Sequence, residues 1–291
     1  MVECQLPKLN VAGSTPVSRS IFAMRISCIF RKSALVLSLS CLSAVPSRAQ
    51  EVSTNLVFAE GRIVCAISSR REAIPELVVA TLPIAMKAAL ETIGPPSESV
   101  HLALRLQEPP PFYKRLKAMF RVEAFAVQEG DDIRLHAGSD PLKLAFRLGH
   151  ELSHWLVYKR YPARPPLWLD EGLAQMVGAA AADTSARVHR QEIERAQPPK
   201  LEESRFRLDE LTAMQAYPKS EARSAAFYWQ AEALVRAIHQ RLGPAEFAAF
   251  LGELCAPQPP AWQTPLRERW YFSDWDMNWL AGQVRPQPMP R

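Results

Sequence analysis

The chain has 291 residues, 48% of them hydrophobic, which suits one domain, or one domain of two lobes with a cleft between them. Its formal net charge of +5 comes from the start. Six of the 35 basic residues (Lys8, Arg19, Arg25, Arg31, Lys32, Arg48) and one of the 30 acids (Glu3) lie in 1–49, so the remainder carries 29 of each. A neutral remainder with no Lys/Arg cluster excludes an electrostatic case for nucleic acid.

The first segment reads as a leader. Met24, Arg25, Arg31 and Lys32 precede an apolar run from Ala34 to Val45 and then Pro46-Ser47-Arg48-Ala49. That is the order of a secretory signal over 24–49, cleaved after Ala49, with residues 1–23 reading as an upstream start codon wrongly chosen. The apolar run is too short to cross a bilayer. The mature protein is therefore expected to be periplasmic or secreted, without stable membrane insertion. Of five cysteines, Cys4, Cys28 and Cys41 precede the cleavage site. Cys65 and Cys255 remain, which permits one bridge, two buried thiols being the equal alternative. No Cys-x-x-Cys occurs, so a structural zinc ribbon is excluded.

From residue 50 to 137 strand-like and helical stretches alternate, predicting an N-terminal α/β lobe. Leu56 to Ile67 is strand-like with a break at Glu60-Gly61, and Glu72 to Ile93 reads as a helix ended by Gly94-Pro95-Pro96. Val100 to Leu106 alternates as a strand. Val122 to Val127 and Ile133 to His136 flank Gln128-Glu129-Gly130-Asp131-Asp132 as a hairpin. From residue 138 to 285 the chain is mainly helical, broken at Pro198-Pro199 and at Pro257 to Pro260.

That second half carries the chemistry. Pro141 to Tyr161 predicts a helix whose Ala145, Leu148, Leu152, Trp155 and Leu156 make one apolar stripe. His150 and His154, in Gly-His-Glu-Leu-Ser-His, are four apart and project from nearly the opposite side, flanked by Phe146 and Val157. Two such histidines can hold one metal, while Glu151, rotated by about 100°, stands beside it. The Pro165-Pro166 pair then forces a turn before a second helix near Asp170, an N-cap candidate, with Glu171 in its first turn. Two histidines and this carboxylate would complete a catalytic zinc set with Glu151 as general base.

These residues resemble the gluzincin, thermolysin-like zinc metallopeptidases, and most closely the peptidase MA-like group. The resemblance rests on His150-Glu151-Leu152-Ser153-His154 and on Trp168-Leu169-Asp170-Glu171-Gly172-Leu173-Ala174, joined by a connection a few residues shorter than is usual. It covers roughly residues 133 to 250 and implies an α+β fold: a small N-terminal mixed-sheet lobe, a mainly helical C-terminal lobe and a metal cleft between them. It further implies a Zn2+ cofactor held by His150, His154 and Glu171, with Glu151 as the base. Phe227-Tyr228-Trp229-Gln230-Ala231 looks like the opening of the family's downstream helix, which makes Tyr228 the oxyanion donor. Its apolar spacing with Ala231, Leu234, Val235 and Ile238 gives it a packing role instead.

Asp170 is either the N-cap or a partner that orients a histidine. His136, His101, His189 and His239 are read as solvent-facing or core. By the same resemblance Ile133 to His136 would be the sheet edge on which an extended peptide pairs through its backbone. The expected activity is hydrolysis of protein or peptide substrates. No Gly-x-Met-Glu-Asn-type stretch holds a free amine, which favours an endopeptidase over an aminopeptidase. The alternative is a catalytically silent protein of the same fold that binds peptides or envelope proteins.

Overall fold

The computed structural model describes residues 52–69, 74–106, 126–135, 140–190 and 205–284. Residues 1–51, His136, the first part of the predicted hairpin strand and Pro198-Pro199 lie outside them. Strand β1 (Val52–Phe58) turns through Ala59–Gly61 into β2 (Ile63–Ser69), with Ala59, Glu60 and Gly61 all at positive φ. Helix α1 (Glu76–Ile93) follows and ends at Gly94, whose φ of 88° suits glycine. The Gly94-Pro95-Pro96 stop thus falls where the sequence puts it. Strands β3 (Val100–Leu106), β4 (Ala126–Glu129) and β5 (Asp132–Leu135) complete a five-stranded sheet of order β1-β2-β3-β5-β4. β1 and β4 run antiparallel to their neighbours, and β2, β3 and β5 are parallel.

Alternation decides which face is buried. Ile63, Cys65 and Ile67 on β2, Leu102, Leu104 and Leu106 on β3, and Ile133 and Leu135 on β5 all point into the core. They share one continuous cluster with Leu82, Met86 and Ala89 of α1 and with the apolar stripe of the next helix.

One expectation fails here. The last strand before the long helices, β5, is interior, between β3 and β4, and the edge is β4. The tight turn at Gly130 sends the chain back between β3 and β4, so among the described residues the sheet edge on this side belongs to residues 126–129.

The helical half is built on α2 (Pro141–Arg160), α3 (Leu167–His189), α4 (Leu208–Ala213), α5 (Glu221–Leu242), α6 (Pro244–Leu254), α7 (Gln263–Glu268) and α8 (Asp274–Gln283). Asp140 caps α2 by accepting from Leu142 N at 2.9 Å and Lys143 N at 3.2 Å, and Pro141 opens the first turn. Helix α5 starts at the Ser220 cap, so Tyr228 lies two turns inside it rather than at its opening. Buried Gln230 on α5 bonds Phe206 N, Phe206 O and Val284 O, each at 2.9 Å, holding the chain before α4 and the end of α8 to the bundle. The whole is α+β. Among the described residues no helix is long and apolar enough to cross a membrane. Cys65 and Cys255 form no bridge. Each is a buried free thiol whose pKa burial pushes up to about 12.

Candidate metal centre

Three glycines let the helices meet closely enough to build a site. Gly149 of α2 lies on Gly178 of α3: a Cβ on Gly149 would stand 3.0 Å from the Cα of Gly178, and one on Gly178 would stand 2.8 Å from Phe146 O. Gly172 of α3 is tighter, since a Cβ there would stand 2.4 Å from Ala231 O of α5. Gly149 precedes His150 and Gly172 follows Glu171, so close backbone contact occurs beside two of the candidate ligands. It also brings α5, with Tyr228, against α3.

At this crossing the Nε2 atoms of His150 and His154 converge to 3.2 Å. Glu171 closes the group, with Oε2 3.6 Å from His150 Nε2 and Oε1 3.8 Å from His154 Nε2. All the offered ligand atoms lie within 4.8 Å of one another. Donors set about 2.0–2.2 Å from one tetrahedral zinc stand roughly 3.3–3.6 Å apart, so the spacing fits a single small ion. Two imidazoles and one carboxylate are also a donor set that catalytic zinc uses, leaving a fourth position for water. Glu171 Oε2 is buried and has no hydrogen-bond partner among the described residues, a costly state that a cation would relieve.

Behind the group stands Asp170, only 8% exposed, whose Oδ1 accepts from His154 Nδ1 at 2.9 Å. That bond places the proton on Nδ1 and turns Nε2 toward the other donors. The N-cap alternative is overturned, because Pro165-Pro166 sets the extended entry and the helix already begins at Leu167. His150 instead stacks against Phe146, ring centroids 6.2 Å apart, and its buried Nδ1 has no partner among the described residues.

Charge and burial set the protonation states. Burial lowers the His150 pKa to about 3, with a smaller push from His154, so its imidazole is neutral and able to ligate. For His154 burial acts downward, yet the Asp170 bond and the charges of Asp170, Glu171 and Glu151 together raise it. Burial raises the Glu171 carboxyl against the pull of His154 and Tyr217.

Glu151 sits beside the group rather than in it. Burial, reinforced by Glu171, raises its carboxyl to about 7, opposed by His154 and by a hydrogen bond from the Gln128 backbone N–H on β4. A carboxylate near neutrality is what proton transfer at neutral pH requires.

Two tyrosines reach the same place. The Tyr228 hydroxyl is half-buried, and its pKa is pushed up to about 12 by burial and then by the charges of Glu171 and Glu151. Tyr217, in the loop before α5, donates its hydroxyl to Glu171 Oε1 although the residue is 53% exposed. Its ring lies 6.3 Å from that of Phe227 and 6.4 Å from that of Tyr228. The sequence gives no periodic signal for Tyr217. Its only mark is a Tyr-Pro pair ahead of a capped helix. The remaining described histidines stand apart, with His101 and His189 exposed and His239 edge-on to Phe247 at 4.9 Å.

No family model and no curated protein matches the chain. Among solved structures it is similar to an M1 zinc metallopeptidase mutant from Deinococcus radiodurans, at 14% identity and a TM-score of 0.45. It is similar too to a mutant two-domain M1 zinc metallopeptidase bound to L-tryptophan, at 14% identity and a TM-score of 0.46. A third, from the same organism, is bound to the substrate Tyr-Ser-Ala, at 14% identity and a TM-score of 0.45. Each alignment covers 83% of this chain and 53% of the other, so the chain spans about half the length of the structures it matches.

Proposed function

We propose that the chain is an exported, zinc-dependent endopeptidase, with the metal held by His150, His154 and Glu171. The observation that carries this reading is the convergence of those three donors within 4.8 Å, with Asp170 holding His154 from behind. Zinc, when bound, supplies a Lewis acid that acidifies water and polarises a scissile carbonyl. The rest is done by the chain's own groups. Glu151 takes the proton of the attacking water at its carboxylate and passes it to the departing amine. Tyr228, kept protonated by its raised pKa, donates to the carbonyl oxygen as charge develops there. The edge of β4 pairs with an extended peptide, and the Gln128 N–H on that strand acts on the Glu151 carboxyl.

The test is hydrolysis of a degenerate peptide library by the zinc-loaded chain and by Glu151→Gln. Wild type is expected to cleave internal bonds, and Glu151→Gln to lose at least about a hundredfold in kcat while retaining metal. Binding without hydrolysis by either would identify a silent peptide-binding protein instead.

Residues 1–49 are read as the removed leader, 50–137 as the α/β lobe and 138–285 as the helical metal lobe. Protein recovered from its own cells is then expected to begin near Gln50. N-terminal sequencing that finds residues 1–23 intact rules export by this leader out.

A further inference from the structure

Arg164 is a charge beside β4 that has no carboxylate hydrogen-bonded to it among the described residues. It lies in Pro162-Ala163-Arg164-Pro165-Pro166, between α2 and α3, on a loop with little freedom. Three prolines restrict the backbone, and Ala163 N–H donates to Cys255 O at 3.0 Å. From this loop the Arg164 guanidinium reaches across to the open edge strand, where Nη2 donates to Gln128 Oε1 at 3.3 Å. The orientation of that amide is fixed independently, since Gln128 Nε2 donates to Gly130 O at 2.7 Å. The backbone N–H of Gln128 also acts on the Glu151 carboxyl, and the Arg164 charge is felt at Glu171. The guanidinium therefore contacts the edge strand while its charge reaches the metal group.

The carboxylates nearest along the hairpin are already taken. Glu129 pairs with Arg134 at 2.9 Å and Asp131 with Lys159. Among the described residues no carboxylate pairs with Arg164, which is exposed and bonded only to a neutral amide. A guanidinium carries five donors in a fixed fork that matches a carboxylate, and one bond to Gln128 leaves most of them free. A rigid loop lowers the cost of holding that fork in place for a ligand.

We propose that Arg164 reads a carboxylate of the peptide bound in this cleft, making acidic peptides the substrate class. This rests on the peptide-binding reading of the site. The carboxylate is an Asp or Glu side chain or a free C-terminus, and the two sources are separable by experiment.

The probes are decapeptide pools carrying Glu, Gln or Lys at one fixed position, each made with a free and with an amidated C-terminus. The full chain, loaded with zinc, is compared with Arg164→Gln, Arg164→Lys and Arg164→Glu, after zinc content and circular dichroism show each to be folded. Ratios of kcat/KM between pools cancel any effect of Arg164 on Glu171, which a merely structural role would share across all pools.

One charge-assisted hydrogen-bonded pair predicts a preference of about tenfold to a hundredfold. It appears as Glu over Gln if a side chain is read, or as free over amidated if the terminus is read. Arg164→Gln is expected to bring that ratio near one, Arg164→Lys to keep part of it, and Arg164→Glu to turn it toward the Lys pool. Added salt should shrink it, since the site is open to solvent. A wild type that treats all pools alike, or a preference that survives in Arg164→Gln, overturns the proposal.

The same pools are titrated against Glu151→Gln by tryptophan fluorescence. A charge ratio in binding with no cleavage by wild type keeps the Arg164 assignment and removes the peptidase reading. Pools that neither bind nor are cleaved overturn both.

Discussion

Tyr217 and Tyr228 bring hydroxyls to one group of carboxylates, but their partners differ, and so do the losses expected from removing them. Tyr217 donates to Glu171 Oε1, which leaves Oε2 as the unpartnered oxygen beside His150. In the proposed site its work is to hold the candidate ligand Glu171. Groups of this kind are worth about ten- to a hundredfold in metal affinity. Tyr228 bonds none of the candidate ligands and lies where the charges of Glu171 and Glu151 reach it, and in the proposed mechanism it is the donor to substrate. Loss of such a donor costs about a hundred- to a thousandfold in kcat. Tyr217→Phe should therefore weaken zinc in a chelator competition. Tyr228→Phe should bind zinc normally and lose turnover with little change in KM. Measured side by side, the opposite pattern would exchange the two roles. Equal zinc affinity and turnover in both variants would make both residues packing groups.

At the level of elements, the crossing of α3 with α5 depends on Gly172. Ala in place of an ordinary helical glycine gains about 1 kcal/mol. Here the added methyl would stand 2.4 Å from Ala231 O and 2.7 Å from Val235 Cγ2, so α5 must move. Gly172→Ala should instead destabilise by about 1–3 kcal/mol, as overpacking does, and weaken zinc through the displaced Glu171. Urea unfolding that shows a gain would remove this explanation of the glycine.

The same elements show what could be read from sequence. Helix α2 was legible because one face is apolar and the other carries the histidines, so its period is clear. The start of α3 is buried without interruption from Trp168 to Ala174, which erases the period. Only the motif and the two prolines announced it, and the start near Asp170 came three residues late. The edge strand was misassigned because the resemblance puts the edge at the last strand before the metal helix, and here that strand is β5. The order of β4 and β5 depends on β5 pairing with β3, thirty residues away, a contact no local pattern encodes.

For the whole molecule, the sheet supplies an edge among the described residues, and α2 with α3 supplies the candidate ligands. The Lys159–Asp131 pair and the Arg164–Gln128 bond tie the hairpin to the helical half. His150, His154, Glu151 and Glu171 were legible because helical spacing and a second motif name them directly. Asp170 was half legible, and Tyr217 and Arg164 were not, since loops place them and loop positions follow from packing between elements far apart in sequence.

Everything functional rests on a metal at His150, His154 and Glu171, and elemental analysis of the purified chain beside His154→Ala tests that most directly. About one equivalent of zinc per chain is expected for wild type, falling to near zero in His154→Ala while circular dichroism still reports a folded protein. Zinc content that is the same in both would contradict the metal centre, and with it the proposed peptidase.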